Sequence, residues 1–203
     1  YIPFGSTNDC ATTLHLPRKP REAALVAAGT GLFSPIDIGR LNGKPFIYVA
    51  AFGAFTKVAY DTPQELKNTF GHLAYIFAGI ASLPSIAPYH MRVEYDGQTL
   101  EDDFYFGMVS NSQSIGGIKP PKVDRVVLDD GLFEVTLVKK PLSLADLTDG
   151  LQALISLSPA DRSGALVQFQ ARDLTFTSDQ PIPWTLDGEF GGSQPVNRVV
   201  NCQ

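Results

Sequence analysis

Cysteine is nearly absent: Cys10 and Cys202 are the only two in 203 residues, and they stand near opposite ends. Two thiols exclude a disulfide-built scaffold and a four-cysteine zinc site, and they read as free thiols. Histidine is hardly commoner, with His15, His72 and His90 scattered at no ligand spacing. Charge is sparse, at 18% of residues, and leans acidic, with 21 Asp and Glu against 16 Lys and Arg for a net charge of −5. Affinity for nucleic acid rests on neutralising phosphates, so nucleic acid is not an expected partner. The same deficit argues against a broad basic face for docking on an anionic membrane. No run of about 18 apolar residues exists, which excludes a spanning helix, and no signal-peptide pattern opens the chain. Internal repeats and low-complexity tracts are missing too. So are a His-Glu-x-x-His helix, a Gly-x-Ser-x-Gly elbow and a P-loop; Gly29-Thr30-Gly31 lacks the third glycine of a dinucleotide fingerprint.

What the chain has is apolar residues, 44% of the total, broken up by 18 glycines and 15 prolines. That punctuation favours many short strands. Residues 20–29 read as a short helix, with Pro20 in the first turn and Gly29 at the end. Residues 63–82 carry the clearest helix pattern: Thr62 as N-cap, Pro63 behind it, Glu65 closing a capping box, and Leu66, Phe70, Leu73, Phe77 and Ile80 along one side. A second helix is expected over Leu144–Ser156, capped by Ser143. Elsewhere the period is two. Asn42-Gly43 precedes the β-rich run Phe46–Ala50, and Met91–Tyr95 and Phe104–Val109 flank Asp96-Gly97, with polar residues extending that turn. Arg125–Val127 and Phe133–Val138 read as a pair around Asp130-Gly131. Ala165–Gln170, Leu174–Thr177 and Val196–Val200 supply further strands. The fold class is therefore mainly β with a few helices, an antiparallel β-sandwich-like domain.

Three motifs bear on chemistry. Ile2-Pro3-Phe4-Gly5-Ser6-Thr7-Asn8-Asp9 runs from a strand end through Gly and hydroxyl residues into a helix. Such a turn can hold phosphate oxygens, and the same residues serve as an ordinary helix cap. Leu186-Asp187-Gly188-Glu189 sets two carboxylates at i and i+2, on one face if extended, able to deprotonate a hydroxyl. Asp-Gly is also a common turn pair, and it occurs four times here, starting at Asp96, Asp130, Asp149 and Asp187. Gly116-Gly117, followed by Leu128-Asp129-Asp130-Gly131-Leu132, offers a carboxylate and carbonyls beside a tight turn. That set suits a hard cation, and it equally suits a solvated turn.

Taken in order, these motifs resemble the diacylglycerol kinase catalytic family, which includes bacterial soluble lipid kinases and sphingosine kinases. Residues 2–9 look like its Pro-x-Gly-Thr-x-Asn-Asp element, Ile36-Asp37-Ile38-Gly39 like the start of its second domain, and residues 186–189 like its late Asp-Gly-Glu. The resemblance implies residues 1–32 as the remnant of a nucleotide-binding α/β domain and 33–203 as a β-rich lipid-substrate domain. The family's Gly-Gly-Asp-Gly-Thr loop would stand upstream of Tyr1, so the chain is expected to be part of a larger kinase and inactive alone. It further implies ATP and Mg²⁺ as cofactors, with Gly5, Ser6 and Asn8 on the nucleotide. Glu189 is favoured as the proton acceptor, with Asp187 next in line or orienting it. Asp130 and the carbonyls of Val127 and Leu132 would hold a structural Mg²⁺. The implied partners are a lipid alcohol and, peripherally, a membrane surface, in a cytoplasmic protein for which a homodimer stays open. Two other readings are a non-catalytic β-sandwich binding lipid or protein, and a kinase resembling NAD kinase with a soluble substrate.

Overall fold

The computed structural model describes residues 1–4, 8–53, 87–112, 126–140, 164 and 166–202. The helices expected over 63–82 and 144–156 lie outside the described residues, as do Gly116-Gly117. Two short helices come first, α1 (Asp9–Thr13) and α2 (Pro20–Leu25), and α2 runs on into a π-helical turn over Val26–Thr30. Among the described residues nine strands follow: β1 (Ile38–Leu41), β2 (Lys44–Phe46), β3 (Val49–Gly53), β4 (Tyr89–Tyr95), β5 (Gln98–Ser110), β6 (Phe133–Lys139), β7 (Leu166–Ala171), β8 (Asp173–Leu186) and β9 (Glu189–Cys202). They form one antiparallel sheet in the order β2-β1-β9-β8-β3-β5-β6-β7, with β4 paired to both β5 and β8. The chain is thus mainly β, a sandwich-like domain.

β3 and β4 share one gap between the two long strands β5 and β8. β3 fills the end at Phe106–Ser110 and Trp184–Leu186, and β4 fills the end at Gln98–Phe104 and Leu174–Ser178. Residues of β8 alternate accordingly, Leu174, Phe176, Ser178, Ile182, Trp184 and Leu186 inward and the rest partly or fully exposed. The core centres on Phe52, whose ring lies 4.8 Å from Trp184 and 5.9 Å from Phe176 at tilted or edge-on angles. Such geometry adds to an area term of about 1.5–3 kcal/mol for a fully buried side chain. Gly107 is required here, because a side chain there would run into the Phe52 ring.

Several local expectations need correcting. Asp96-Gly97 is a bare two-residue turn, with Tyr95 opposite Gln98, and the polar run Gln98–Asp103 is strand rather than loop. Polar residues are tolerated there because none of them is buried: Gln98, Thr99 and Glu101 are exposed and Asp102 and Asp103 are partly so. Asp130-Gly131 is not a hairpin: β6 pairs with β5 and β7, while Val126 and Val127 lie outside any strand. The run Phe46–Ala50 is split between β2 and β3 at Ile47-Tyr48, for a reason that belongs to the site.

Candidate functional site

Asp187 and Gly188 form the two-residue turn between β8 and β9, with φ of 50° and 95°. Positive φ at both positions is the type I′ pattern that Asp-Gly favours. The Asp187 carboxylate faces the β2–β3 break. Its Oδ2 accepts the Ile47 amide at 2.8 Å, and its Oδ1 accepts those of Tyr48 at 2.8 Å and Val49 at 2.9 Å. The Asp187 amide in turn donates to the Val49 carbonyl at 2.8 Å. Three consecutive amides that gather on one carboxylate cannot also serve a regular ladder, and that is what interrupts the strand. The i and i+2 carboxylates therefore do not lie along one face of an extended strand. Asp187 is spent on backbone, while Glu189, opposite Leu186 at the start of β9, is exposed and has no ion-pair partner among the described residues.

The turn carrying Asp130 is held from behind by Asp37, a carboxylate only 1% exposed. Asp37 Oδ2 accepts the Gly131 amide at 2.7 Å, and its own amide donates to the Leu128 carbonyl at 2.6 Å. Asp130 Oδ1 accepts the Leu132 amide at 3.0 Å, an Asx turn that leaves the side chain at the surface. Val127 is exposed and Leu132 half-buried on either side. Burial is the main cause that pushes Glu134 up to about 7; the nearby charges of Asp130 and Asp37 add to it, and a hydrogen bond from Gln170 opposes it. An excess of carboxylate around a turn of hard oxygen donors is chemistry that suits Mg²⁺. Among the described residues no three His, Cys, Asp or Glu side chains are grouped to hold a metal ion, so a cation here would depend on backbone carbonyls.

Gly5 and Ser6 lie outside the described residues. Asn8 adopts the left-handed conformation, φ 53°, just before α1, and its carbonyl accepts the Thr12 amide at 3.1 Å. From α1, Thr13 Oγ1 shares a 2.8 Å hydrogen bond with Ser112 Oγ in the interior. Cys10 is half-buried; burial first, and then the charge of Asp187, raises its thiol pKa. A small cavity is lined by Cys10, Thr13, Tyr48, Asn111, Ser112 and Leu128 among others. Three segments far apart in sequence thus converge: α1, the stretch clamped by Asp187, and the Asp130 turn. Asn111 and Ser112 were not singled out from the sequence. The one available hint was a polar Ser-Asn-Ser at the end of an apolar strand. Asp37 was quoted only as part of a motif, and its buried, bridging role has no local signature.

The family model for the YegS C-terminal NAD kinase beta sandwich-like domain matches residues 50–203. The chain is 33% identical over 194 residues to a diacylglycerol kinase of Bacillus subtilis (strain 168), covering 96% of this chain and 63% of that protein. It is 33% identical over 196 residues to a diacylglycerol kinase of Staphylococcus carnosus (strain TM300), covering 97% and 63%. The chain thus spans a little under two thirds of these relatives' length. Among solved structures, a diacylglycerol kinase from Bacillus anthracis str. Sterne is similar in fold, with TM-score 0.68 at 21% identity, covering 100% of this chain and 62% of that one. Another crystal structure from that strain reaches TM-score 0.78 at 24% identity, covering 100% and 64%.

Proposed function

The chain belongs to the family of the YegS C-terminal NAD kinase beta sandwich-like domain, and from that premise we propose that it is the acceptor-side part of an ATP-dependent lipid kinase. The reaction is transfer of the γ-phosphoryl group of ATP to the hydroxyl of diacylglycerol or a similar lipid alcohol. The new bond runs from the lipid oxygen to phosphorus, the bond to ADP breaks, and the hydroxyl proton leaves to a protein base. The observation that carries the reading is the convergence around one cavity of α1, the Ile47-Tyr48 stretch whose amides Asp187 holds, and Leu128 of the turn that carries Asp130. The names of the relatives support the substrate class.

In this reading Glu189 accepts the proton, because its carboxylate is exposed and has no ion-pair partner among the described residues, whereas that of Asp187 holds three amides. Asp187 fixes where the hairpin stands, and Glu189 with it. Gly5, Ser6 and Asn8 would contact the nucleotide. Asp130 and the carbonyls of Val127 and Leu132 would hold Mg²⁺, which supplies positive charge to an acid-rich turn. No described helix is long and apolar enough to cross a membrane; in this reading the lipid alcohol is met peripherally at the membrane surface. Positioning and charge neutralisation carry most phosphoryl transfer, and a rigid sheet end suits that task.

The test is to incubate the full-length protein with labelled ATP and a panel of lipid alcohols in mixed micelles, with NAD as the soluble competitor. Label transferred to lipid supports the reading. Label on NAD alone would favour the kinase of soluble substrates, and label on nothing would favour a binding module.

A further inference from the structure

Two consecutive residues just past the end of β5 are hydrogen-bonded to four separate segments. The Asn111 amide donates to the Tyr48 carbonyl at 3.2 Å. Its side-chain Nδ2 donates to the carbonyls of Asp37 at 3.1 Å and Leu128 at 2.9 Å. Both of those partners accept only, so the orientation of the side-chain amide is fixed: turning it over would set oxygen against two oxygens. Ser112, fully buried, meets Thr13 of α1 at 2.8 Å. Tyr48 is the link to the hairpin, since its carbonyl is held by Asn111 while its amide is held by Asp187. A shift at Asn111 reaches the Asp187 carboxylate through a single residue. β5 is a suitable anchor, being 13 residues long and paired with β3, β4 and β6. Groups mounted on the end of such a strand are held more tightly than groups on a loop.

We infer that Asn111 and Ser112 are positioning residues that keep the α1 segment in register with the Asp187–Glu189 hairpin. Neither touches reacting atoms. They set the distance between the side of the cleft that carries Asn8 and the side that carries Glu189. The kinetic part of this inference rests on the lipid-kinase reading; the structural part stands without it.

The test compares Ser112→Ala, Asn111→Asp and a core control, Val93→Ala, in the full-length protein. The control destabilises the sheet from β4, away from the cavity. A misplacement near 1 Å costs about a hundredfold in rate. Ser112→Ala and Asn111→Asp are therefore expected to lower kcat for lipid phosphorylation by about ten- to a hundredfold, with KM for ATP and lipid moving less than about threefold. Amide exchange at Ile47, Tyr48 and Val49 is expected to speed up about tenfold over the control at matched Tm. Ser112→Thr, which restores the hydroxyl, is expected to recover both. If all variants lose activity only in step with Tm, and exchange at those three amides matches Val93→Ala, the inference is overturned. If the wild type phosphorylates no lipid alcohol, the kinase reading falls instead. The exchange comparison then decides this inference alone, faster exchange than the control supporting it and equal exchange overturning it.

Discussion

Asp96-Gly97 and Asp187-Gly188 are the same dipeptide in the same kind of turn. Their φ values are 44° and 77° in one, 50° and 95° in the other, and both close hairpins of adjacent long strands. One is a plain surface tip. The other stands beside a broken strand, and its carboxylate gathers three amides from residues 47–49. Local sequence sets the turn; what the turn faces sets its use. Asp130-Gly131 makes the point from the other side, since it shares the dipeptide and the positive φ of Gly131 yet closes no hairpin.

The sharpest way to separate the two hairpins is by what a lost carboxylate at each does to turnover. Under the kinase reading Glu189→Gln keeps size and fold but removes the base, and kcat is expected to fall about 10²–10⁴-fold. Asp96→Asn, at the other hairpin, is expected to leave turnover at wild type. Rates from the full-length protein on lipid micelles check both, and a near-normal rate for Glu189→Gln would put the base elsewhere.

Next comes stability. Hydrogen bonds to charged groups contribute about 1.5–3 kcal/mol each when measured singly, and less than their sum when they share one carboxylate at a surface. Asp187→Ala is expected to cost about 2–4 kcal/mol. Asp96→Ala, losing only a good turn residue, is expected to cost about 1 kcal/mol or less. Urea unfolding of the two variants makes the comparison, and equal losses would mean that the three-amide clamp contributes little.

How much of this was legible beforehand follows from the range of each interaction. The hairpins at Asn42, Asp96 and Asp187 are local and readable, because Asn or Asp followed by Gly is what positive φ at two positions demands. The inward alternation of Leu174 and Phe176 is readable for the same kind of reason. The end-to-end sharing of one gap by β3 and β4 is not, since it depends on which long strands flank it. The strand break at Ile47-Tyr48 is set by a carboxylate about 140 residues away, as the Tyr48–Asp187 pairing shows. The Asp37 bridge to Gly131 spans 94 positions. The order of the motifs pointed to the family, but their meeting place on Asn111 and Ser112 is a tertiary fact.

Asp130-Gly131 differs from those two hairpins in its acidic company, and pH reads that difference. Glu134 is raised from an ordinary carboxylate value to about 7, by burial foremost and then by Asp130 and Asp37. A raised folded pKa means that the folded state holds the proton more tightly than the unfolded chain. The stabilisation is full below about 4.5 and is lost as pH climbs through about 7. Glu134→Gln does not titrate, so its stability is expected to gain on wild type across that window and to level off above it. Asp130→Asn removes one of the raising charges and is expected to lower the Glu134 midpoint. Thermal unfolding against pH and a carboxyl NMR titration measure the two effects. A flat difference between wild type and Glu134→Gln would sink the claim of a buried, proton-holding carboxyl.

The smallest effect tests whether the two hairpins are the same locally. Gly97 and Gly188 both have positive φ, and a Cβ built on either meets nothing within 4 Å. Alanine at each is therefore strained by backbone conformation alone, at about 1–2 kcal/mol. With no neighbour to strike, Gly97→Ala and Gly188→Ala are expected to lose the same stability within about 0.5 kcal/mol. For a domain of this size 1 kcal/mol moves Tm by about 2–4 °C, so paired melts resolve the difference. Equal losses would confine the special character of the second hairpin to the Asp187 side chain. A clearly larger loss for Gly188→Ala would mean that strain in the turn also pulls on the amides of residues 47–49. The Asp187 clamp and the turn would then be one mechanical unit.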